Sequence, residues 1–202
     1  MKNAVEIAEL LKAHDEMIGI AQTLAEDEAL FTPPSSEPNI QPWRRAYIRA
    51  LFAYIEGITY RMKAQAFSAY TAGGAQYTRE ELAIILEESY SLNDKGEVVT
   101  RSIFNSTHKN VRFAFNMYAR AWGVIFILDC SDHKWASLKK AIGIRNRVTH
   151  PKTLADLNVS DEDMQILREG AYWYSRNSLE LLLDIRDKLI KDLESLKQMK
   201  DT

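Results

Sequence analysis

Apolar positions in this chain recur mostly at three- and four-residue steps, the period of amphipathic helices. From Asn3 to Leu30 the stripe is Ile7, Leu10, Leu11, Ile18, Ala21 and Leu24. His14 falls on it with no second ligand one turn on, so it reads as a packed helix histidine. Phe31 to Pro42, with four prolines, reads as a linker. From Pro42 to about Tyr70, Trp43, Tyr47, Ala50, Leu51, Tyr54, Ile58 and Met62 form one face, and Ile48, Phe52 and Ile55 widen it. Such a helix is expected at the centre of the fold. Glu56 is its sole acid, expected to be nearly buried and therefore to have a partner: an arginine, or a ligand at a site.

Gly73-Gly74 breaks that pattern, and Thr78-Arg79-Glu80-Glu81 has the form of a capping box opening a short helix to about Ser89. Asn93 to Gly96 is turn-forming and Val98-Val99 follows, which predicts a small hairpin or loop insertion near residues 89–101. Ser106 to about Leu128 is a further helix, with Val111, Phe115, Tyr118, Trp122 and Ile125 inward; at helical spacing these aromatics read as core. Asp132 caps the next helix. Its inward stripe is Trp135, Leu138 and Ile142, and the next position on it is Arg145. Ser160 with Asp163 opens the last helix, whose apolar stripe runs from Leu167 to Leu196. That length suits packing on the N-terminal helix or on a second subunit. The expected fold is all-α, an antiparallel bundle of about five to six helices in one domain over 1–202, with residues 1–40 as an N-terminal extension.

Composition narrows the function classes. The chain has 202 residues, 46% apolar, with 26 Lys and Arg against 28 Asp and Glu. A core is within reach, and overall charge does not advertise nucleic-acid binding, so a local basic patch would have to provide it. Cys130 is alone, which suits a reducing cytoplasm and excludes an intrachain disulfide. No signal peptide is legible, and no apolar run approaches the roughly 20 residues that span a bilayer. A cytoplasmic protein with no membrane partner is expected. The four histidines, at 14, 108, 133 and 150, show no helical ligand pairs, and no phosphate-binding or dinucleotide loop is present, so neither metal nor cofactor is expected.

The stretch that carries chemistry is Lys139 to Lys152, KKAIGIRNRVTHPK. Arginine on an inward stripe needs an anion. Arg145 therefore meets a carboxylate such as Glu56, or lines a cleft open to an anionic ligand. Pro151 biases His150 away from the α region, placing it at or just beyond the helix end. There the last carbonyls and the helix dipole favour the protonated ring, which suits proton transfer near neutral pH. Asn146, four residues earlier, can reach the ring if the last turn stays helical. An arginine fork can hold two phosphate oxygens and offset charge developing in a phosphoryl transition state. Arg147, Lys139, Lys140 and Lys152 stand in the same region, able to hold a nucleic-acid backbone or simply to solvate a helix face.

Arg145, Asn146 and His150 resemble the signature of the HEPN superfamily (higher eukaryotes and prokaryotes nucleotide-binding): arginine, a polar residue, a short spacer, then histidine. The resemblance covers mainly Asp132 to Leu189. A second Arg–His pair, Arg101 and His108, lacks the amide and the helix-end context. The resemblance implies a helical, usually dimeric protein whose two motifs face each other across a cleft. It also implies a metal-independent endoribonuclease, as in toxin–antitoxin, defence or RNA-processing systems, with an antitoxin or other partner protein in some of them. In that scheme Arg145, Asn146 and His150 are catalytic, Arg147, Lys152 and Lys139 hold RNA, and Glu56 is a helper. Members that have lost activity imply the competing expectation, a helical interaction module in which Arg145 is held by an ion pair.

Overall fold

The computed structural model describes residues 4–31 and 40–198. The fold is all-α with one small hairpin: α1 (Ala4–Leu30), α2 (Ile40–Thr71), α3 (Arg79–Ile85), β1 (Glu88–Leu92), β2 (Val98–Ser102), α4 (Thr107–Trp122), α5 (His133–Thr149) and α6 (Asp161–Gln198), with a 3-10 turn at Leu154–Leu157. Most of the linker expected at 31–42 lies outside the described residues. Its last residues already belong to α2, where Pro42 occupies the first turn, a place that lacks an intrahelical acceptor for its missing N–H in any case. Among the described residues no helix is long and apolar enough to cross a membrane.

The residues group into two compact units, 1–58 with 127–202, and 59–126. In the first, α6 packs against both α5 and α1. Leu138, Ala141, Val148, Leu167, Tyr174, Leu181 and Ile185 are buried, as are Ile48, Leu51 and Ile55 of α2. The Tyr174 hydroxyl donates to the Ile55 carbonyl at 3.0 Å, so even the buried polar tip is satisfied. Trp135 and Trp173 pack with ring centroids 4.7 Å apart. A Cβ on Gly170 would sit 2.8 Å from the Leu138 Cα, so only glycine permits α5 and α6 to approach this closely. His14 is fully buried on α1. Burial lowers its pKa below 6.5, against the raising effect of a hydrogen bond with the Leu182 backbone and of Asp15, with the charge of Arg186 adding to the lowering.

In the second unit the capping box forms as read: the Glu81 N–H donates to the Thr78 hydroxyl at 3.2 Å, and the Thr78 N–H donates to the Glu81 carboxylate at 2.9 Å. The short helix it opens ends at Ile85 rather than Ser89, because Glu87 turns the chain with φ 57° and β1 starts at once. The hairpin is antiparallel with Tyr90 opposite Thr100, and Gly96 at φ 76° makes its turn. Buried Lys63 pairs with Glu87. The helix expected to reach Leu128 stops at Trp122. Gly123 takes the left-handed conformation (φ 66°) and its N–H donates back to Ala119 and Arg120, a C-terminal cap that only glycine adopts cheaply. Ile125, expected inward, is consequently 94% exposed.

Candidate functional site

Helix α5 places the motif. Asp132 caps it, accepting from the Lys134 N–H at 2.9 Å. Its buried side is Trp135, Leu138, Ala141, Ile144 and Val148, while Ile142, expected inward, is half-buried. Arg145 falls in that buried sector. Its guanidinium pairs with Glu56 of α2 and lies over the Phe52 ring, 5.1 Å from the centroid. The Arg145 side chain is 21% exposed and that of Glu56 is 49% exposed. The acid expected to be nearly buried thus stands at the rim, with water on one side and the arginine on the other.

His150 is the C-cap of α5, at φ −125° and ψ 61°, with its N–H donating to the Asn146 carbonyl at 2.9 Å. Proline at 151 accounts for that departure from helical geometry. The Asn146 link to His150 is therefore through the backbone. The His150 side chain is exposed and makes no hydrogen bond or ion pair with the other described residues. It opens onto a cleft of about 590 Å³ lined by Asn146, Arg147, His150, Lys152 and Asp156. Five residues of α-helix turn through about 140°, so Arg145 and His150 of one chain point to different sides of α5, and Arg145 does not line this cleft.

The far wall of the cleft is the strap from Pro151 to Ser160. Arg147 staples it: one arm of the fork reaches the Asn158 carbonyl at 2.7 Å, the other the Asp163 carboxylate at 2.7 Å. Arg147 is thereby a structural cation with its donors already turned inward. From α2, Arg45 donates to the Leu157 carbonyl at 3.1 Å, Gln41 exchanges hydrogen bonds with Val159 at 3.0 and 2.9 Å, and Arg44 pairs with Asp161. Asp156 accepts from the N–H groups of Thr153 (2.8 Å) and Lys152 (2.9 Å). Those donors, with the charge of Arg147, hold its carboxyl below the usual carboxylate range. Asp156 and the α2 clamps escaped the sequence reading. A cue for the first was present: Asp156 stands three residues after Thr153, a spacing that suits a local cap.

Of the residues singled out, the structure gathers Asn146, Arg147, His150 and Lys152 at one cleft, pairs Arg145 with Glu56 elsewhere, and leaves Lys139 exposed on α5 about three turns back from His150. Arg101 lies in β2 and His108 in α4. Among the described residues no three His, Cys, Asp or Glu side chains gather as they would around a metal ion. Compared with family models, curated proteins and solved structures, the chain matches none.

Proposed function

We propose that this chain is a metal-independent endoribonuclease of the HEPN type. The observation that carries the reading is His150: a histidine at a helix C-terminus, exposed, uncommitted within the described chain, and opening onto a cleft whose wall is fixed by Arg147 and the α2 clamps. In the reaction, the 2′-hydroxyl oxygen of RNA forms a bond to the adjacent phosphorus, and the phosphorus–5′-oxygen bond breaks. The 2′-proton leaves to a base, a proton reaches the 5′-oxygen, and the products are a 2′,3′-cyclic phosphate and a 5′-hydroxyl. His150 handles one of these protons. Arg145, held by Glu56 and Phe52, offsets the charge on the phosphorane oxygens. Because the two side chains diverge within one chain, the reading calls for a second copy, whose Arg145 complements the first copy's His150. That is the homodimer implied by the family resemblance. Work in a toxin or defence system, with a restraining partner protein, belongs to the same proposal.

Incubation of the purified protein with RNA in excess EDTA is the test. Cleavage with cyclic phosphate ends, abolished by His150→Ala, supports the reading; undiminished cleavage by that variant sinks it. A second reading has its own observation. The motif arginine and its neighbour are both engaged by this chain's own carboxylates, Arg145 by Glu56 and Arg147 by Asp163, as in a non-catalytic helical interaction module. Absence of RNA cleavage across conditions, with a self-association that Glu56→Gln weakens, would favour it.

A further inference from the structure

The chain carries a net charge of −2, yet residues 133–152 hold six cations, Lys134, Lys139, Lys140, Arg145, Arg147 and Lys152, and not one acid. The structure sorts them. Arg145 and Arg147 are paired with acids, and Lys134 stands over the Tyr172 ring at 4.3 Å from its centroid. Lys139, Lys140 and Lys152 remain exposed, with no ion pair among the described residues. On an α-helix turning about 100° per residue, Lys139, Lys140, Gly143, Asn146 and His150 fall within about 120° of circumference, and Lys139 to His150 spans roughly 16 Å. They form one outward strip that ends at the cleft. The acid at its end, Asp156, already has its carboxylate bonded to two backbone N–H groups.

The middle of this strip is bare. Gly143 sits inside a 17-residue helix, where glycine is among the worst helix formers. A Cβ there would meet nothing within 4 Å, whereas the Cβ missing from Gly170 would strike Leu138. Packing thus accounts for Gly170 and leaves Gly143 without a reason inside the fold. What Gly143 does supply is a low saddle in the exposed backbone between the lysine pair and His150.

We propose that this face of α5 is a track for the sugar–phosphate backbone of single-stranded RNA, with Lys139 and Lys140 holding phosphates upstream, the strand crossing the helix at Gly143, and Lys152 holding it at the cleft. The inference deepens the ribonuclease reading and rests on it. Lys139 and Lys140 stand about 100° apart on the two sides of the strip and Lys152 lies beyond its end, a band no wider than one helix, which suits one phosphate row. Sequence enters only through contacts to bases, so the track itself binds RNA of any sequence.

The test measures binding apart from cleavage. The full-length protein with His150→Ala is titrated with a labelled uridine 20-mer at several salt concentrations. Three phosphate contacts give a slope of log K against log salt of about −2, and Lys139→Gln with Lys140→Gln brings it to roughly −0.7. Gly143→Gln raises the melting temperature of the protein and at the same time weakens binding, a split that misfolding cannot produce. Unchanged affinity and slope in the lysine variant, unchanged affinity in Gly143→Gln, failure of the parent to bind the 20-mer, or tighter binding of the matching duplex would each overturn the track. Binding that shows these losses in a protein that never cleaves would retain the track and remove the nuclease.

Discussion

His150 and Arg145 lie five positions apart on one helix, yet their surroundings differ: one faces solvent at a cleft, the other is clasped by Glu56 and Phe52. Substitution should separate the two roles. His150→Ala removes no side-chain hydrogen bond or ion pair among the described residues, so stability should stay within about 0.5 kcal/mol while cleavage disappears. Arg145→Lys keeps the charge opposite Glu56 but loses the planar fork and its stacking. Cleavage should fall by about 10²–10³ with the melting temperature little changed, since partly exposed ion pairs contribute only about 0–1 kcal/mol. A drop in stability without a drop in rate would assign Arg145 to structure alone. The two glycines of the α5–α6 region make a second pair. Gly170→Ala forces a methyl against Leu138 and should cost about 1–3 kcal/mol. Gly143→Ala should stabilise by about 0.5–1 kcal/mol, which denaturant titration of both variants will read. At this scale the sequence singled out candidate residues but not which of them are already engaged. The expectation that Arg145 needs an anion was legible from the inward stripe. That Arg147 staples the strap through Asn158 and Asp163 was not, because those acceptors are fixed by a loop with no periodic signal.

Elements followed the hydrophobic period closely wherever the stripe was long. The extents of α1 and α6 and the hairpin turn are those the pattern predicts; the ends shift where one residue decides. Gly123 ended α4 six residues before the expected limit, and its αL potential was readable had it been set against the apolar run behind it. The strap between α5 and α6 owes its shape to side chains from α2 more than a hundred residues away, which no local pattern announces. Asp156 ties this strap together. Its carboxyl is held below the usual range in the folded protein, so the unfolded chain binds the proton at higher pH. The contribution is present above the ordinary Asp value of about 3.9 and is lost as pH falls below it. Asp156→Asn should therefore flatten the acid limb of the stability profile below about pH 4, as read by melting temperature.

Across the larger of the two units, α1 docks on α6 around the buried His14. A histidine with a lowered pKa prefers to be neutral when folded, so the unfolded state takes up the proton first. Stability should be full above about pH 6.5 and decline as pH falls from there toward the folded value. Asp15 and Arg186 are the charges that act on the ring, and they work in opposite directions. His14→Leu should abolish the decline between pH 6.5 and 5 in urea unfolding, and a decline that persists would place its origin elsewhere. The all-α class was legible at this scale because helical periodicity dominates the chain, whereas the division at Ile58 and Ile127 falls inside α2 and in an irregular segment and leaves no mark in composition. The account as a whole turns on whether His150 moves a proton for RNA cleavage. The most direct measurement is RNA cleavage in excess EDTA by the wild-type protein and by His150→Ala, with the 3′ ends analysed. Cyclic phosphate ends from the wild type and none above background from the variant are the predicted result; equal cleavage by both, or none by either, would contradict it.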